Sequence, residues 1–87
     1  MKTKYTVITG ASSGIGKAVA LKFAERNKNL ILIARRKNLL EDLKSKILKK
    51  NPNLEIIVTD FDLTDVDKIP ELYSKLNNYH IETLINN

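Results

Sequence analysis

The chain has 87 residues, 43% hydrophobic and 29% charged, which fits one small folded domain and excludes a disordered or low-complexity protein. The formal net charge is +5, but most lysines occupy polar positions of predicted helices and aromatic residues are scarce, so we expect no nucleic-acid partner. Because the chain contains no cysteine and no apolar run of membrane-spanning length, we expect a cytoplasmic protein with no membrane partner.

Strand-like and helix-like segments alternate along the whole chain. Runs of β-branched or apolar residues predict four strands, at 5–9, 30–34, 54–59 and 81–85. The alternation requires a parallel sheet built from βαβ units, and right-handed crossovers with a reversal after the third strand give the order 3-2-1-4. We predict an α/β fold of three α/β/α layers, Rossmann-like, with residues 1–87 forming the N-terminal half as one domain.

Three helices are predicted between these strands. Apolar residues recur at helical spacing over 14–26 and 39–50. The third helix is expected to begin near Ile69, after a turn in which Thr64 and Asp67 have the spacing of a capping box. A start at Asp65 with a bend is disfavoured, because Pro70 belongs in a first helical turn.

A glycine-rich turn, TGASSGIG at residues 9–16, lies between the first strand and the first helix. Glycine lets the backbone turn tightly and approach a pyrophosphate, while free N–H groups at the helix start face the negative charge. Glycines that serve packing alone are the competing interpretation. A P-loop is excluded, because Ala11 and Ala18 stand where its first glycine and its magnesium-binding hydroxyl are required. We predict cofactor contacts from Gly10, Ser12, Ser13, Gly14, Ile15 and Gly16.

The end of the second strand indicates which dinucleotide is bound. NAD enzymes place an acidic side chain there, on the ribose 2′-hydroxyl, whereas this chain has Ala34. The guanidinium of Arg35 favours an additional 2′-phosphate through charge-assisted, bidentate hydrogen bonds. Arg36 either assists it or is a solvated surface residue. We therefore predict NADP in preference to NAD.

The spacing T-G-x-x-x-G-x-G at residues 9–16 resembles the fingerprint of the classical short-chain dehydrogenase/reductase (SDR) family. The resemblance continues at LIARR (32–36), DLT (62–64) and LINN (84–87), so it covers the whole chain in the family's order. It implies that Asp62 and the backbone of Leu63 bind the adenine, although Asp62 has a helix-capping role as its alternative. It also implies that Asn86 lies beneath the cofactor and ties strands together.

The catalytic Tyr-x-x-x-Lys pair of that family has no counterpart here. None of the three tyrosines is followed four residues later by lysine: Tyr5, Tyr73 and Tyr79 are followed by Thr9, Asn77 and Thr83. We therefore predict no catalytic residue in the chain. The resemblance implies an NADP-binding fragment, inactive alone, of an oxidoreductase that transfers hydride between NADP(H) and a carbonyl or alcohol of a small-molecule substrate. The alternative is a stand-alone dinucleotide-binding or regulatory module without catalysis.

Two further expectations concern metals and self-association. The segment from Asp60 superficially matches a calcium loop, but Asp65 stands where the sharp turn needs glycine. His80 is the only histidine and has no second ligand nearby, so we expect a loop residue and no metal. The fourth strand would leave an uncovered sheet edge, through which we predict a homo-oligomer.

Overall fold

The computed structural model describes residues 3–87 as an alternation of strands and helices. In chain order the elements are β1 (Lys4–Thr9), α1 (Gly14–Glu25), β2 (Asn29–Ala34), α2 (Lys37–Lys50), β3 (Ile56–Asp60), a 3-10 helix (Val66–Lys68), α3 (Ile69–Leu76) and β4 (His80–Ile85). All neighbouring strands pair in parallel, in the order β3-β2-β1-β4. The predicted sheet order is therefore confirmed.

The sheet has helices on both faces, which explains the unbroken apolar sequence of its central strands. In β2, Leu30 and Leu32 pack with the residues of α1 and α2, whereas Ile31 and Ile33 pack on the side of Leu72 in α3. Alternate side chains of a strand point to opposite faces, so a strand covered twice needs apolar residues at every position. The predicted three-layer, Rossmann-like α/β/α fold is confirmed.

The predicted start of the third helix is confirmed, but the capping that was expected before it is wrong. Helix α3 begins at Ile69 with Pro70 in its first turn. The preceding 3-10 helix has no side-chain cap, because the N–H and the hydroxyl of Thr64 both donate to Oδ1 of Asp62, at 2.9 and 2.7 Å. A local side-chain bond has replaced the helix cap.

The first and last strands pair with an irregularity at Glu82. Tyr5 pairs with Ile81, but the next residue of β1, Thr6, pairs with Thr83, so Glu82 is an additional residue in β4. The strand begins at His80, which corrects the expectation of a loop at that residue. Leu84 pairs with Val7, a residue of the α3 face, and is 62% exposed.

The longest helix among the described residues, α2, has 14 residues. No helix within residues 3–87 has both the length and the apolar character needed to cross a bilayer.

Candidate functional site

A crevice of about 620 Å³ opens at the carboxyl ends of the strands, which is where open α/β sheets bind their ligands. It lies between the glycine turn, the end of β2 and the loop after β3. Seven of the predicted site residues line it: Gly10, Ser12, Ser13, Arg35, Arg36, Asp62 and Leu63. The other four, which do not line it, are Gly14, Ile15, Gly16 and Asn86. The fold thus brings together three segments that are far apart in sequence.

The three glycines of the turn serve different needs. Gly10 and Gly14 have φ of +61° and +56°, a conformation that L side chains rarely adopt. A Cβ on Gly16 would overlap the carbonyl oxygen of Gly10, whereas a Cβ on Gly14 would meet no other part of the described chain, residues 3–87, within 4 Å. Gly16 therefore allows α1 to pack against the turn. The open space at Gly14 leaves the backbone accessible to a ligand.

The start of α1 is arranged to receive an anion. Ser13 at the N-cap position has extended backbone, its side chain makes no capping hydrogen bond, and the first turn contains no acidic residue. The first N–H groups of a helix have no partner within the helix, and the helix dipole adds positive potential there. These amides, close to the crevice-lining Ser12 and Ser13, fit a phosphate group.

The end of β2 supplies the cationic side of the crevice. Ala34 is the last residue of the strand and is buried, so no carboxylate occupies the position that would repel a 2′-phosphate. Arg35 and Arg36 are exposed and line the crevice. Neither arginine has an acidic side chain within ion-pair distance among residues 3–87. Their donors are therefore available for a phosphate.

Asp62 contributes a carboxylate from the loop after β3, the strand next to β2. Hydrogen bonds from the hydroxyl and the N–H of Thr64 lower the pKa of Asp62, and the positive charge of Arg35 lowers it further. The group is thus ionised at neutral pH. Both local bonds fall on Oδ1, so Oδ2 remains as an acceptor for an amine. The local turn and a ligand contact are compatible in this geometry.

Hydrogen bonds tie the end of β4 to the glycine turn, and only the part played by Asn86 was predicted from the sequence. The hydroxyl of Thr9 donates to Oδ1 of Asn86 at 3.0 Å and accepts from the N–H of Asn87 at 2.9 Å. Nδ2 of Asn87 also donates to the carbonyl of Gly10 at 3.3 Å. Asn86 therefore joins β4 to β1, while Asn87, for which no role was predicted, lines the crevice. The Asn-Asn pair was the available signal, but only the fold shows which amide reaches the turn.

The crevice offers backbone N–H groups, hydroxyls and guanidinium groups for phosphates, and one ionised carboxylate for an amine. Within residues 3–87, no group of three or more His, Cys, Asp or Glu side chains could hold a metal ion. A parallel sheet with helices on both faces and this crevice at its carboxyl edge defines a nucleotide-binding α/β protein of the Rossmann type.

The chain belongs to the short chain dehydrogenase family, whose family model matches residues 4–87. The alignment with the NADPH-dependent reductase BacG of Bacillus subtilis covers 100% of this chain and shows 34% identity. The alignment with the very-long-chain 3-oxoacyl-CoA reductase of Caenorhabditis elegans covers 95% of this chain and shows 38% identity. Both relatives are oxidoreductases.

Solved structures show the same similarity. The short-chain dehydrogenase from Sphingobium yanoikuyae, in complex with NADPH, matches 93% of this chain with a TM-score of 0.84 and 32% identity. The chain spans 34% of the bacterial reductase, 27% of the nematode reductase and 32% of this dehydrogenase. It therefore covers about a third or less of the length of these proteins.

Proposed function

We propose that this chain is the NADP-binding part of an oxidoreductase, and that the whole protein transfers hydride between NADP(H) and a carbonyl or alcohol group of a small-molecule substrate. The observation that carries the proposal is the crevice, in which the glycine turn and Arg35 lie together beside Ala34. The relatives named NADPH-dependent or bound to NADPH support the same cofactor.

Each side of the crevice has a proposed role. The amides of residues 12–16 bind the pyrophosphate, and Arg35, assisted by Arg36, binds the 2′-phosphate. Asp62 and the backbone of Leu63 hold the adenine, while Asn86 keeps β4 in place beneath the cofactor. The nicotinamide supplies the hydride chemistry when it is bound, and the protein supplies position and electrostatics.

Titration of the chain with NADP and with NAD, followed through the backbone amides of residues 10–16, tests the cofactor proposal. We expect stronger binding of NADP, with the largest shifts in the glycine turn. Arg35→Ala should weaken NADP binding by roughly tenfold or more, because charge-assisted bonds are lost, and should leave NAD little changed. Arg26→Ala, at the exposed far end of α1, is the control. Equal affinity of the wild type for both dinucleotides would contradict the assignment.

Hydride transfer is tested on the whole protein. The assay offers a panel of ketones and aldehydes and follows the loss of NADPH absorbance. We expect the whole protein to reduce at least one of these compounds. A whole protein that binds NADPH but turns over no carbonyl compound would favour the alternative of a binding or regulatory module.

The homo-oligomer stays a prediction. Strand β4 lies at the end of the sheet with its outer side unpaired among residues 3–87, and Leu84 within it is exposed, which supports pairing with a second copy. Light scattering over a concentration series should show a dimer or larger species that Leu84→Glu weakens. A monomer at every concentration would rule the prediction out.

A further inference from the structure

A second, smaller pocket lies between α1 and α2, directly behind the glycine turn. It has a volume of about 290 Å³, and Ser12 and Leu39 line both this pocket and the crevice. The remaining polar lining comes from Lys17, Asp42 and Lys46. The two spaces are therefore neighbours that share part of one wall.

The charges of this pocket come from facing positions on two helices. Lys17 lies near the start of α1 and is half-buried, whereas Asp42 and Lys46 are one turn apart on the exposed side of α2. No ion pair within 4 Å joins these side chains in the part of the chain described. Two cations thus face one anion, and neither cation is neutralised by direct contact.

We propose that Lys17, supported by Lys46, is a specificity-determining residue for the 2′-phosphate of the bound dinucleotide. The inference rests on the proposed function. Arg35 lines the crevice from the end of β2, and Ser12 lines both spaces. A phosphate bound beside Arg35 and Ser12 would therefore adjoin the pocket that Lys17 lines, and a charge acts over about 8–10 Å at physiological salt.

Lys17 is half-buried, as Lys28 and Lys44 are, but of these three lysines it alone lines the pocket beside the crevice. A charge that is partly removed from water acts through a lower effective dielectric and is screened less by salt. Its four-carbon stem also lets the ammonium group move toward a dianion. The negative charge of Asp42 should repel the same phosphate, so that removing this charge should strengthen binding and provides an internal test.

The experiment uses two probes that occupy only the adenosine side of the crevice, adenosine 2′,5′-bisphosphate and 5′-AMP. They differ in the 2′-phosphate alone. Lys17→Gln should weaken binding of the bisphosphate by about threefold to tenfold and that of 5′-AMP by about twofold or less. Asp42→Asn should strengthen the bisphosphate by about twofold. Lys49→Gln removes the same charge from an exposed position of α2 that lines neither space, and it should change neither affinity.

The outcomes separate this inference from the proposed function. If the wild type shows no preference for the bisphosphate, the proposed cofactor is wrong and this inference fails with it. If the wild type prefers the bisphosphate but Lys17→Gln behaves like Lys49→Gln, only the inference is overturned. Lys17→Arg keeps the charge and should keep the preference; a loss of both probes in this variant would show a structural role and overturn the inference as well.

Discussion

The two halves of the molecule are built very differently. In the first unit, residues 4–50, nearly every position of β1 and β2 is buried, and both α1 and α2 contribute residues to one core. In the second unit, residues 56–87, β4 alternates between exposed and half-buried positions, and α3 buries only Leu72. The first unit holds most of the apolar packing.

The crevice lies across the boundary between these two units. The glycine turn and Arg35 belong to the first unit, whereas Asp62, Leu63 and Asn87 belong to the second. We infer that the phosphate contacts are preorganised by dense packing, while the adenine side is held by fewer interactions. A bound dinucleotide should therefore stabilise the second unit more than the first.

The difference in packing predicts very different results for one substitution at two strand positions. Leu32→Ala removes a side chain with no exposed surface and should lower the free energy of unfolding by about 2–5 kcal/mol. Leu84→Ala, at a position that is 62% exposed, should lower it by about 0.5 kcal/mol or less. Urea denaturation measures both. Similar losses at the two positions would refute the comparison.

Two glycines of the turn should also respond differently. Gly16→Ala forces a Cβ onto the carbonyl oxygen of Gly10, and because neither atom can move without a shift of the backbone we expect a loss of about 3 kcal/mol. The Cβ of Gly14→Ala meets no neighbour within 4 Å in the described part of the chain, but the residue must adopt φ of +56°, which costs about 1–2 kcal/mol. Thermal or urea unfolding of the pair decides the order. A smaller loss for Gly16→Ala would mean that α1 shifts freely against the turn.

The hydroxyl of Thr9 adds side-chain hydrogen bonds between the units to the strand pairing that joins them, and its removal provides a matched pair of variants. Thr9→Val breaks the bonds to Asn86 and Asn87 and should destabilise the protein by about 1–2 kcal/mol. Amide exchange at the end of β4 should become faster. Thr6→Val is the control, because Oγ1 of Thr6 is buried without a hydrogen-bond partner among residues 3–87, and its removal should be neutral or stabilising. Equal losses would exclude a special role for Thr9.

The last effect is expected at the opposite end of the sheet and only at high pH. The hydrogen bond from the Tyr5 hydroxyl to Glu55, together with burial and the charge of Glu55, raises the pKa of Tyr5 from 10.0 to about 12. Since the unfolded chain ionises first, the stability that this shift contributes is complete below pH 10 and is lost as the pH rises toward 12. Tyr5→Phe should flatten the dependence of stability on pH in this window.

Absorbance gives a direct measurement of that ionisation, because the chain has three tyrosines and no tryptophan. One of the three should ionise late, and its signal should disappear in Tyr5→Phe. Tyr73→Phe, at a position that is 65% exposed, should leave the late ionisation intact. A late signal that survives in Tyr5→Phe would assign it to another residue.

The features that could be predicted from sequence are those coded by short segments. Strands β1 and β2, the sheet order and the meeting of the glycine turn with Arg35 follow from local patterns, because parallel strands end at one edge. The predicted capping of the third helix was wrong because the N–H and the hydroxyl of Thr64 both donate to Oδ1 of Asp62 instead of taking part in a cap. The additional residue Glu82 leaves no mark in the apolar pattern of β4. The contact of Asn87 with Gly10 depends on a pairing across the whole chain.

The bond between Asn87 and the carbonyl of Gly10 joins residues that are 77 positions apart. The turn that begins at Gly10 is made early in synthesis, but this partner arrives only after three crossovers have been laid down. Contacts between distant segments form late, because closing long loops is entropically slow. We expect the glycine turn to reach its final shape near the end of folding, so that competence to bind a dinucleotide reports the completion of the sheet.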